Sequence, residues 1–335
     1  MAGNTKTVKR HTIIISVGLL MLACFLLTGC SKKETGYLLG FSSSAALSSV
    51  EMEDAPETLP LFAEDLCVIP ADGEGTEADD TIKAAAAMLV HVEDGEALYA
   101  SHAFDRLYPA SITKLGTAYM ALKYGNLSDI VTISYNASHI TEPGAKLCRF
   151  KEGDKIDLKT LLTVLLVYSG NDAGIAVAEH ISGTEEAFCE QMNEELKALG
   201  AVDTHFTNSH GLHSDDHYTT AYDIYLIFNE LLKYDLFTDI IQTSLVHASY
   251  KDSSGKTVER EFETTNRYFL RTTKAPEGIT VLGGKTGTTD KAGSCLIVYS
   301  KDQDRNHYIS LLLREPTNDM LYSQMTYLLE KTASQ

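Results

Sequence analysis

Residues 158–181 read LKTLLTVLLVYSGNDAGIAVAEHI, in which two apolar stretches flank a short polar segment. Both stretches, Leu158–Val167 and residues 173–181, are apolar over most of their length, which is typical of helices buried inside a protein. The polar segment Ser169-Gly170-Asn171 lies between them. We therefore predict a helical lobe in the middle of the chain, with a rigid loop that presents a hydroxyl group and an amide group.

Segments on either side of this lobe have the pattern of strands. Residues 83–92 and 97–100 flank the turn Glu93-Asp94-Gly95, as the two strands of a hairpin do. Later in the chain we predict strands at 245–251, 257–263, 294–299 and 308–313, and then a closing helix at 319–331. The order predicts an α+β fold (in the broad sense α/β), in which an antiparallel sheet built from both chain ends lies beside a mostly helical lobe.

The composition narrows the class of protein. The chain has 335 residues, of which 44% are hydrophobic, and its formal net charge is −18. These values exclude a chain that is disordered throughout, a collagen-like chain and a small disulfide scaffold. The surplus of acids also argues against nucleic acid as a partner, because binding to phosphates requires clustered cations.

The first thirty residues have the pattern of an export signal. Basic residues precede an apolar run at 13–27, which is shorter than the roughly 20 residues that span a bilayer. The run ends in Leu27-Thr28-Gly29-Cys30, which resembles the lipobox of bacterial lipoproteins. This resemblance implies a lipoprotein signal peptide at 1–29 and a lipid on Cys30, which would hold the chain at the outer face of the cytoplasmic membrane. A plain secretory signal and an uncleaved anchor are the alternatives.

Residues 30–80 are predicted to be an acidic, flexible tether, and residues 81–335 to be the folded domain. Eleven acids and no Lys or Arg occur between positions 51 and 80. Such a segment buries too little apolar surface to offset the entropy lost on ordering.

Four further cysteines follow the lipobox, at positions 67, 148, 189 and 295. An exported chain permits disulfides, but the spacing does not choose among the possible pairings. No CxxC or similar zinc spacing is present, and we expect buried or incidental thiols.

Ser111-Ile112-Thr113-Lys114 is the first of three motifs that could carry chemistry. On a helix, positions i and i+3 share a face, so the hydroxyl of Ser111 and the amine of Lys114 can meet. A serine becomes a good nucleophile when an adjacent base takes its proton. Lysine can be that base if burial or a neighbouring cation lowers its pKa. Ser169-Gly170-Asn171 is the second motif.

The third motif is Gly283-Gly284-Lys285-Thr286-Gly287-Thr288-Thr289, which we expect just before a strand. Glycines allow close approach of a ligand, and the lysine and threonines suit a carboxylate. The phosphate-loop pattern GxxxxGK[ST] does not fit, because Ile279 occupies the position that requires its first glycine.

Together, and in this order, the motifs resemble those of the penicillin-binding protein and serine β-lactamase superfamily. The likeness is greatest to its low-molecular-mass D-alanyl-D-alanine carboxypeptidases and covers residues 83–330. It extends to the segments LYPAS (107–111), YSGNDA (168–173), AEHISG (178–183), THFTNSHGL (204–212) and HYTTAYD (217–223). The resemblance implies a β-lactamase/transpeptidase-like fold.

The resemblance also implies roles for individual residues. Ser111 would be the acylated nucleophile, Lys114 its general base, and Ser169 a relay of a proton to the leaving amine. Asn171 would orient Lys114 or the substrate amide. The substrate carboxylate would meet Lys285, Thr286, Gly287 and Thr288, and the backbone N–H groups of Ser111 and Thr288 would form the oxyanion hole.

The same resemblance implies the ligands. The substrate would be a peptidoglycan pentapeptide that ends in D-Ala-D-Ala, β-lactams would be inhibitors, and no cofactor or metal would be required. Class A β-lactamases use a glutamate in an ExxLN segment, and this segment is absent here. Penicillin is therefore expected to acylate the enzyme and remain bound.

Rival functions are a zinc peptidase, a non-catalytic penicillin-binding sensor and a D,D-endopeptidase. Three histidines (210, 213 and 217) and two aspartates (215 and 216) could be drawn as a zinc site, because histidine suits Zn²⁺. No HExxH motif is present, however. The intact second motif and both lysines favour an enzyme over the sensor.

Overall fold

The computed structural model describes residues 67–69 and 79–334. These residues belong to one compact unit, Pro60–Gln335. The predicted signal peptide, Cys30 and most of the predicted tether lie outside the described residues. Among the helices of the described part, none is both long and apolar enough to cross a membrane.

The strands of the described residues form two antiparallel sheets. In chain order they are β1 (Ala86–His91), β2 (Ala97–Ser101), β3 (Ile130–Thr132), β4 (Lys155–Asp157), β5 (Leu245–Lys251), β6 (Thr257–Glu263), β7 (Thr280–Thr289), β8 (Gly293–Lys301) and β9 (His307–Glu315). The larger sheet has the order β2-β1-β9-β8-β7, and the smaller one has the order β3-β4-β5-β6.

The larger sheet confirms that both ends of the folded chain build one sheet. Strand β1 pairs with β9 along its whole length, from Ala86 opposite Leu313 to His91 opposite Tyr308. Strands β5 and β6 have the predicted bounds, but they belong to a second sheet, whereas a single sheet was predicted. Strands β3 and β4 were not predicted, since three residues are too few to show an alternating pattern.

The predicted helices are present in the predicted order, together with two short ones that were not predicted. The helices of the described residues are α1 (Lys114–Tyr124), α2 (Tyr135–Ser138), α3 (Leu158–Val167), α4 (Asn171–Ser182), α5 (Glu185–Ala198), α6 (Ala221–Leu231), α7 (Asp235–Ile241) and α8 (Asn318–Glu330). The two that were not predicted are α2 and α7. Helix α3 has the predicted bounds, and the side chain of Asp157 caps it by accepting from the N–H of Thr160 at 2.9 Å. Thr220 caps α6 in the same way.

Two hydrophobic cores lie on opposite faces of the larger sheet. Helices α1, α3, α4 and α6 pack together on one face, in a core that includes Leu115, Leu162 and Ile297. Helix α8 covers the other face, where Met325 packs with Leu312. Helix α1 packs against α4, and β7 contacts the turn Ala110–Thr113 that leads into α1, so that the three motifs can meet.

Part of the predicted tether packs against the folded unit. Cys67 and Ile69 are buried in the helical core, and the hydroxyl of Tyr222 donates to the carbonyl oxygen of Cys67 at 2.8 Å. Their burial was not predicted, because the segment around these two residues has an acidic composition that is typical of a flexible tether. The four described cysteines are free and buried, as expected.

Candidate active site

Ser111 lies in a short 3-10 turn, Ala110–Thr113, that leads directly into α1. A continuous helix was predicted here, and the tighter turn is a correction. It keeps the expected i, i+3 relation, because Nζ of Lys114 lies 2.9 Å from Oγ of Ser111. The nucleophile and base predicted from the motif are therefore in hydrogen-bond contact.

Lys114 is fully buried, and its amine has three oxygen neighbours. Besides Ser111, it contacts Oδ1 of Asn171 at 2.8 Å and the carbonyl oxygen of His210 at 2.6 Å. Burial lowers the pKa of Lys114 to about 7, and the positive charge of Lys146 acts in the same direction. A neutral amine has two N–H donors, which the amide and carbonyl oxygens accept, so its lone pair is left for the hydroxyl of Ser111.

A second lysine–serine pair faces the first. Nζ of Lys285 donates to Oγ of Ser169 at 2.9 Å and to the carbonyl oxygen of Thr286 at 2.9 Å. Lys285 is buried, which lowers its pKa well below the ordinary value, and the charge of Lys114 adds to this effect. Ser169 has a φ of +74°, a left-handed conformation that costs a non-glycine residue about 1 kcal/mol or more. The surrounding helices α3 and α4 hold it there.

The third motif directly precedes the predicted strand, which is β8, and it is itself part of a strand, β7, which was not predicted. Gly287 lies against the turn of the nucleophile: a methyl group there would be 2.9 Å from the oxygen of Pro109 and 3.0 Å from the nitrogen of Ser111. The hydroxyl of Thr286 lies 2.5 Å from that of Thr265. Because a methyl group at position 287 would lie so near these backbone atoms, glycine is required there for the close approach of β7 to the nucleophile.

These residues surround one cleft of about 260 Å³. Its lining includes Ser111, Lys146, Ser169, Asn171, His210, Thr265, Arg267, Thr286, Gly287, Thr288 and Tyr322. Lys114 and Lys285 lie just behind this surface and are buried. The structure thus brings together every predicted site residue except Cys30, which lies outside the described residues.

Several residues of the cleft were missed from the sequence. Lys146 lies with its Nζ 4.2 Å from the ring centre of Tyr168, and Arg267 donates to Asp319 at 2.6 Å. Neither belongs to a motif. The carbonyl oxygen of His210 belongs to a segment that resembles the family, but a backbone contact leaves no signature in side-chain identity.

The histidines of the rival zinc hypothesis have separate partners. Nε2 of His210 lies 3.6 Å from Glu185, and Nε2 of His213 lies 3.2 Å from Asp215. Both ring nitrogens of His217 form hydrogen bonds to other groups. Among the residues that the structure describes, no group of three side chains is arranged as metal ligands.

Comparisons with known proteins agree with this geometry. The family model of the D-alanyl-D-alanine carboxypeptidases, peptidase family S11, matches residues 73–317. D-alanyl-D-alanine carboxypeptidase DacF of Bacillus subtilis is 33% identical over 258 residues, which cover 76% of this chain and 63% of DacF. DacC of Escherichia coli is 30% identical over 264 residues, with 76% and 62% covered. The chain thus spans less than two thirds of the length of these relatives.

Solved structures show the same fold. The crystal structure of a Streptomyces DD-transpeptidase matches with a TM-score of 0.71 at 24% identity, over 77% of this chain and 100% of the other. That of D-alanyl-D-alanine carboxypeptidase DacD from Francisella tularensis matches with a TM-score of 0.65 at 26% identity, over 81% and 73%. These matches confirm the α+β, transpeptidase-like fold. Because the family model covers most of the folded unit, the chain belongs to the D-alanyl-D-alanine carboxypeptidase family.

Proposed function

We propose that this chain is a serine carboxypeptidase that removes the terminal D-alanine from peptides ending in D-Ala-D-Ala, such as peptidoglycan stem pentapeptides. One observation carries the proposal. The amine of Lys114 has a pKa of about 7 and lies 2.9 Å from Oγ of Ser111, with its two other neighbours able only to accept. A buried serine–lysine pair of this kind suits acyl transfer at neutral pH.

In the acylation step, Lys114 takes the proton of Ser111 while Oγ attacks the carbonyl carbon of the penultimate D-alanine. The negative charge that develops on the carbonyl oxygen would be met by the N–H groups of Ser111 and Thr288. Backbone donors that are fixed in advance stabilise such a charge strongly, because they need no reorganisation during the reaction.

The leaving amine needs a proton when its C–N bond breaks. Ser169 is suited to supply it, and the amine of Lys285, 2.9 Å from Oγ of Ser169, can replace the proton. D-alanine then leaves, and the acyl group remains on Ser111 as an ester. Before hydrolysis, Lys114 releases to solvent the proton that it took from Ser111, and Lys285 regains a proton from solvent. The neutral amine of Lys114 then takes a proton from water as the water attacks the ester, and it returns this proton to Oγ of Ser111 when the acyl group leaves as a carboxylic acid.

The terminal carboxylate of the substrate would bind at β7. Lys285 supplies positive charge, since a bound carboxylate favours its protonated form. Thr286 and Thr288 offer hydroxyl groups, and Gly287 leaves space for the peptide. A binding site for the free terminal carboxylate of the substrate would favour carboxypeptidase activity over endopeptidase activity.

The test combines a labelled penicillin with a peptide that ends in D-Ala-D-Ala. We expect wild-type protein to bind the label covalently and to release D-alanine, with no effect of EDTA. Ser111→Ala should do neither. Ser249→Ala is the matched control, because this serine lies on β5 and its hydroxyl contacts Glu259 on the outside of the smaller sheet.

Each other outcome has a distinct meaning. Loss of D-alanine release with EDTA, or activity that does not need Ser111, would contradict the proposal. Label on Ser111 without D-alanine release would indicate a penicillin-binding sensor. Cleavage of crosslinked peptides without cleavage of free pentapeptide would indicate a D,D-endopeptidase.

We also propose that the chain is exported and anchored through a lipid on Cys30. The support is the sequence Leu27-Thr28-Gly29-Cys30 after a basic and apolar N-terminus. Two acyl chains would hold the protein on the membrane stably. Mass analysis of the mature N-terminus tests this: Cys30→Ser should abolish the modification, and Cys24→Ser should not. An unmodified N-terminus at another residue would contradict it.

A further inference from the structure

The peptide unit that precedes the nucleophile has an unusual conformation. Ala110 has a φ of +49°, in the left-handed region. Its carbonyl oxygen accepts from the hydroxyl of Thr113 at 2.8 Å. Gly211 packs directly against it, since a methyl group at Gly211 would lie 1.8 Å from this oxygen. The carbonyl of Ala110 is therefore held toward the protein interior.

The same peptide unit contains the N–H of Ser111. In a trans peptide the C=O and N–H bonds point in opposite directions, and the structure has no cis peptide bond in its described residues. Holding the oxygen of Ala110 inward therefore aims the N–H of Ser111 outward, to the side of the cleft where Gly287 of β7 approaches. This N–H is one of the two proposed donors to the oxyanion.

His217 completes a chain of hydrogen bonds to this carbonyl. Its ring is buried and stacks on Phe206, with ring centres 5.0 Å apart. Nδ1 accepts from the N–H of Thr207 at 3.0 Å, so the proton of the neutral ring must be on Nε2. Nε2 lies 2.7 Å from the hydroxyl of Thr113 and donates to it. Burial lowers the pKa of His217 to about 3, which keeps the ring neutral.

We propose that His217 is a positioning residue, which acts through Thr113 to hold the peptide unit between Ala110 and Ser111 with its N–H aimed at the oxyanion. The proposal rests on the proposed acyl-transfer function. Nε2–H of His217 donates to the hydroxyl of Thr113, and this hydroxyl donates to the carbonyl oxygen of Ala110. Because each bond polarises the next, the chain also makes the N–H of Ser111 a stronger donor.

The experiment measures acylation of Ser111 by penicillin in four variants. His217→Leu removes the donor and Thr113→Val removes the relay. Each should slow acylation by about 10- to 100-fold, somewhat less than the 10²–10³-fold typical when an oxyanion-hole donor is deleted. His217→Gln should restore much of the rate, because its amide nitrogen can occupy the place of Nε2. The double variant should be no slower than the slower single variant, since both act through one chain.

A thionoester substrate separates positioning from a general loss of structure. Sulfur is a weak hydrogen-bond acceptor, so an aligned oxyanion hole favours the C=O ester over its C=S analogue. In His217→Leu and Thr113→Val the ester should lose more rate than the thionoester, which reduces the preference. A merely structural role would slow both substrates equally. His247→Leu is the matched control, because this histidine is exposed on β5.

The result that overturns the proposal is a folded His217→Leu protein that acylates at the wild-type rate with an unchanged ester-to-thionoester preference. If His217→Leu does not fold, Thr113→Val and Thr113→Ser provide the same comparison, and equal rates for these two would overturn it. Failure of the proposed function is distinguishable. In that case the wild-type protein is labelled at Ser111 but releases no D-alanine, and the acylation rates still test His217.

Discussion

The rate of acylation should depend on pH through the neutral fraction of Lys114. Only the neutral amine can accept the proton of Ser111. With a pKa of about 7, about half of the Lys114 side chains are neutral at pH 7. A lysine at the ordinary value of 10.5 would be neutral in only about one molecule in 3,000. Burial of Lys114 therefore increases the amount of active base about 10³-fold.

The direction of the pH dependence follows from the lowered pKa of Lys114. Below pH 7 the amine is protonated, so the rate constant should fall about tenfold for each pH unit. Above pH 7 it should level off, and it should fall again where Lys285, whose pKa is also lowered by burial, loses the positive charge that binds the carboxylate. His210 and His217 do not titrate in this range, because burial lowers the pKa of each to about 3. The assay is the second-order rate constant for acylation by a fluorescent penicillin between pH 5 and 9, which is independent of the later hydrolysis step.

Lys146→Met provides the sharpest perturbation. The positive charge of Lys146 helps to lower the pKa of Lys114, so its removal should move the midpoint of the profile to higher pH. Lys151→Met is the matched control, because Lys151 is exposed on the same loop and should leave the midpoint unchanged. A second control is Glu315→Gln, since burial also raises the pKa of that carboxyl to about 7. Glu315 is not among the residues that line the cleft, so the midpoint of the pH profile should be unchanged in Glu315→Gln.

Three results would refute this reasoning. One is an acylation rate that does not change between pH 5 and 9. Another is a midpoint near 10, the value of an ordinary lysine. A third is a midpoint that moves to lower pH in Lys146→Met, because removal of a nearby positive charge can only favour the protonated amine.

Three other changes test the packing. Gly287→Ala should slow acylation about 100-fold with an unchanged circular dichroism spectrum, because the methyl group would displace the turn of Ser111, 3.0 Å away. Glu315→Gln should raise the Tm more at pH 8 than at pH 5. Burial raises the pKa of this carboxyl to about 7, and a backbone contact at Ala84 offsets only part of this effect. The wild-type folded state therefore loses stability as pH rises from the ordinary carboxyl pKa towards 7, and equal gains at both pH values would contradict this. The four buried thiols should react with iodoacetamide, read by peptide mass, only after unfolding, because burial raises the pKa of each; these are Cys67, Cys148, Cys189 and Cys295.

The secondary structure of the helical lobe could be predicted closely from the sequence. Helix α3 has the predicted bounds because its signals are local: a continuous apolar run, and an aspartate that caps its first turn. The pairing of the larger sheet from both chain ends also followed from the order of elements. The second sheet could not be predicted from this order, because β3 and β4 are very short and pair with strands that are distant in sequence.

For the site, too, some features could be predicted from the sequence and others could not. The three motifs, with the family that they resemble, were enough to predict Ser111, Lys114, Ser169 and Lys285 as site residues, and the fold brings these side chains together in two contacting pairs. The sequence alone could not show that the pKa of Lys114 is lowered to about 7, since this pKa depends on burial and on charges brought near it by folding.

The tertiary structure alone decided the contacts that hold the nucleophile. The carbonyl oxygen of His210 contacts Lys114, which is 96 positions earlier in the chain, and His217 contacts Thr113 across 104 positions. Strand β7 approaches Ser111 closely enough to require glycine at position 287. Local sequence determines which groups can react and where helices form, because these depend on side-chain chemistry and nearby backbone. Long-range packing determines which groups lose water and which way a peptide unit points, because both depend on neighbours that only the folded chain brings together.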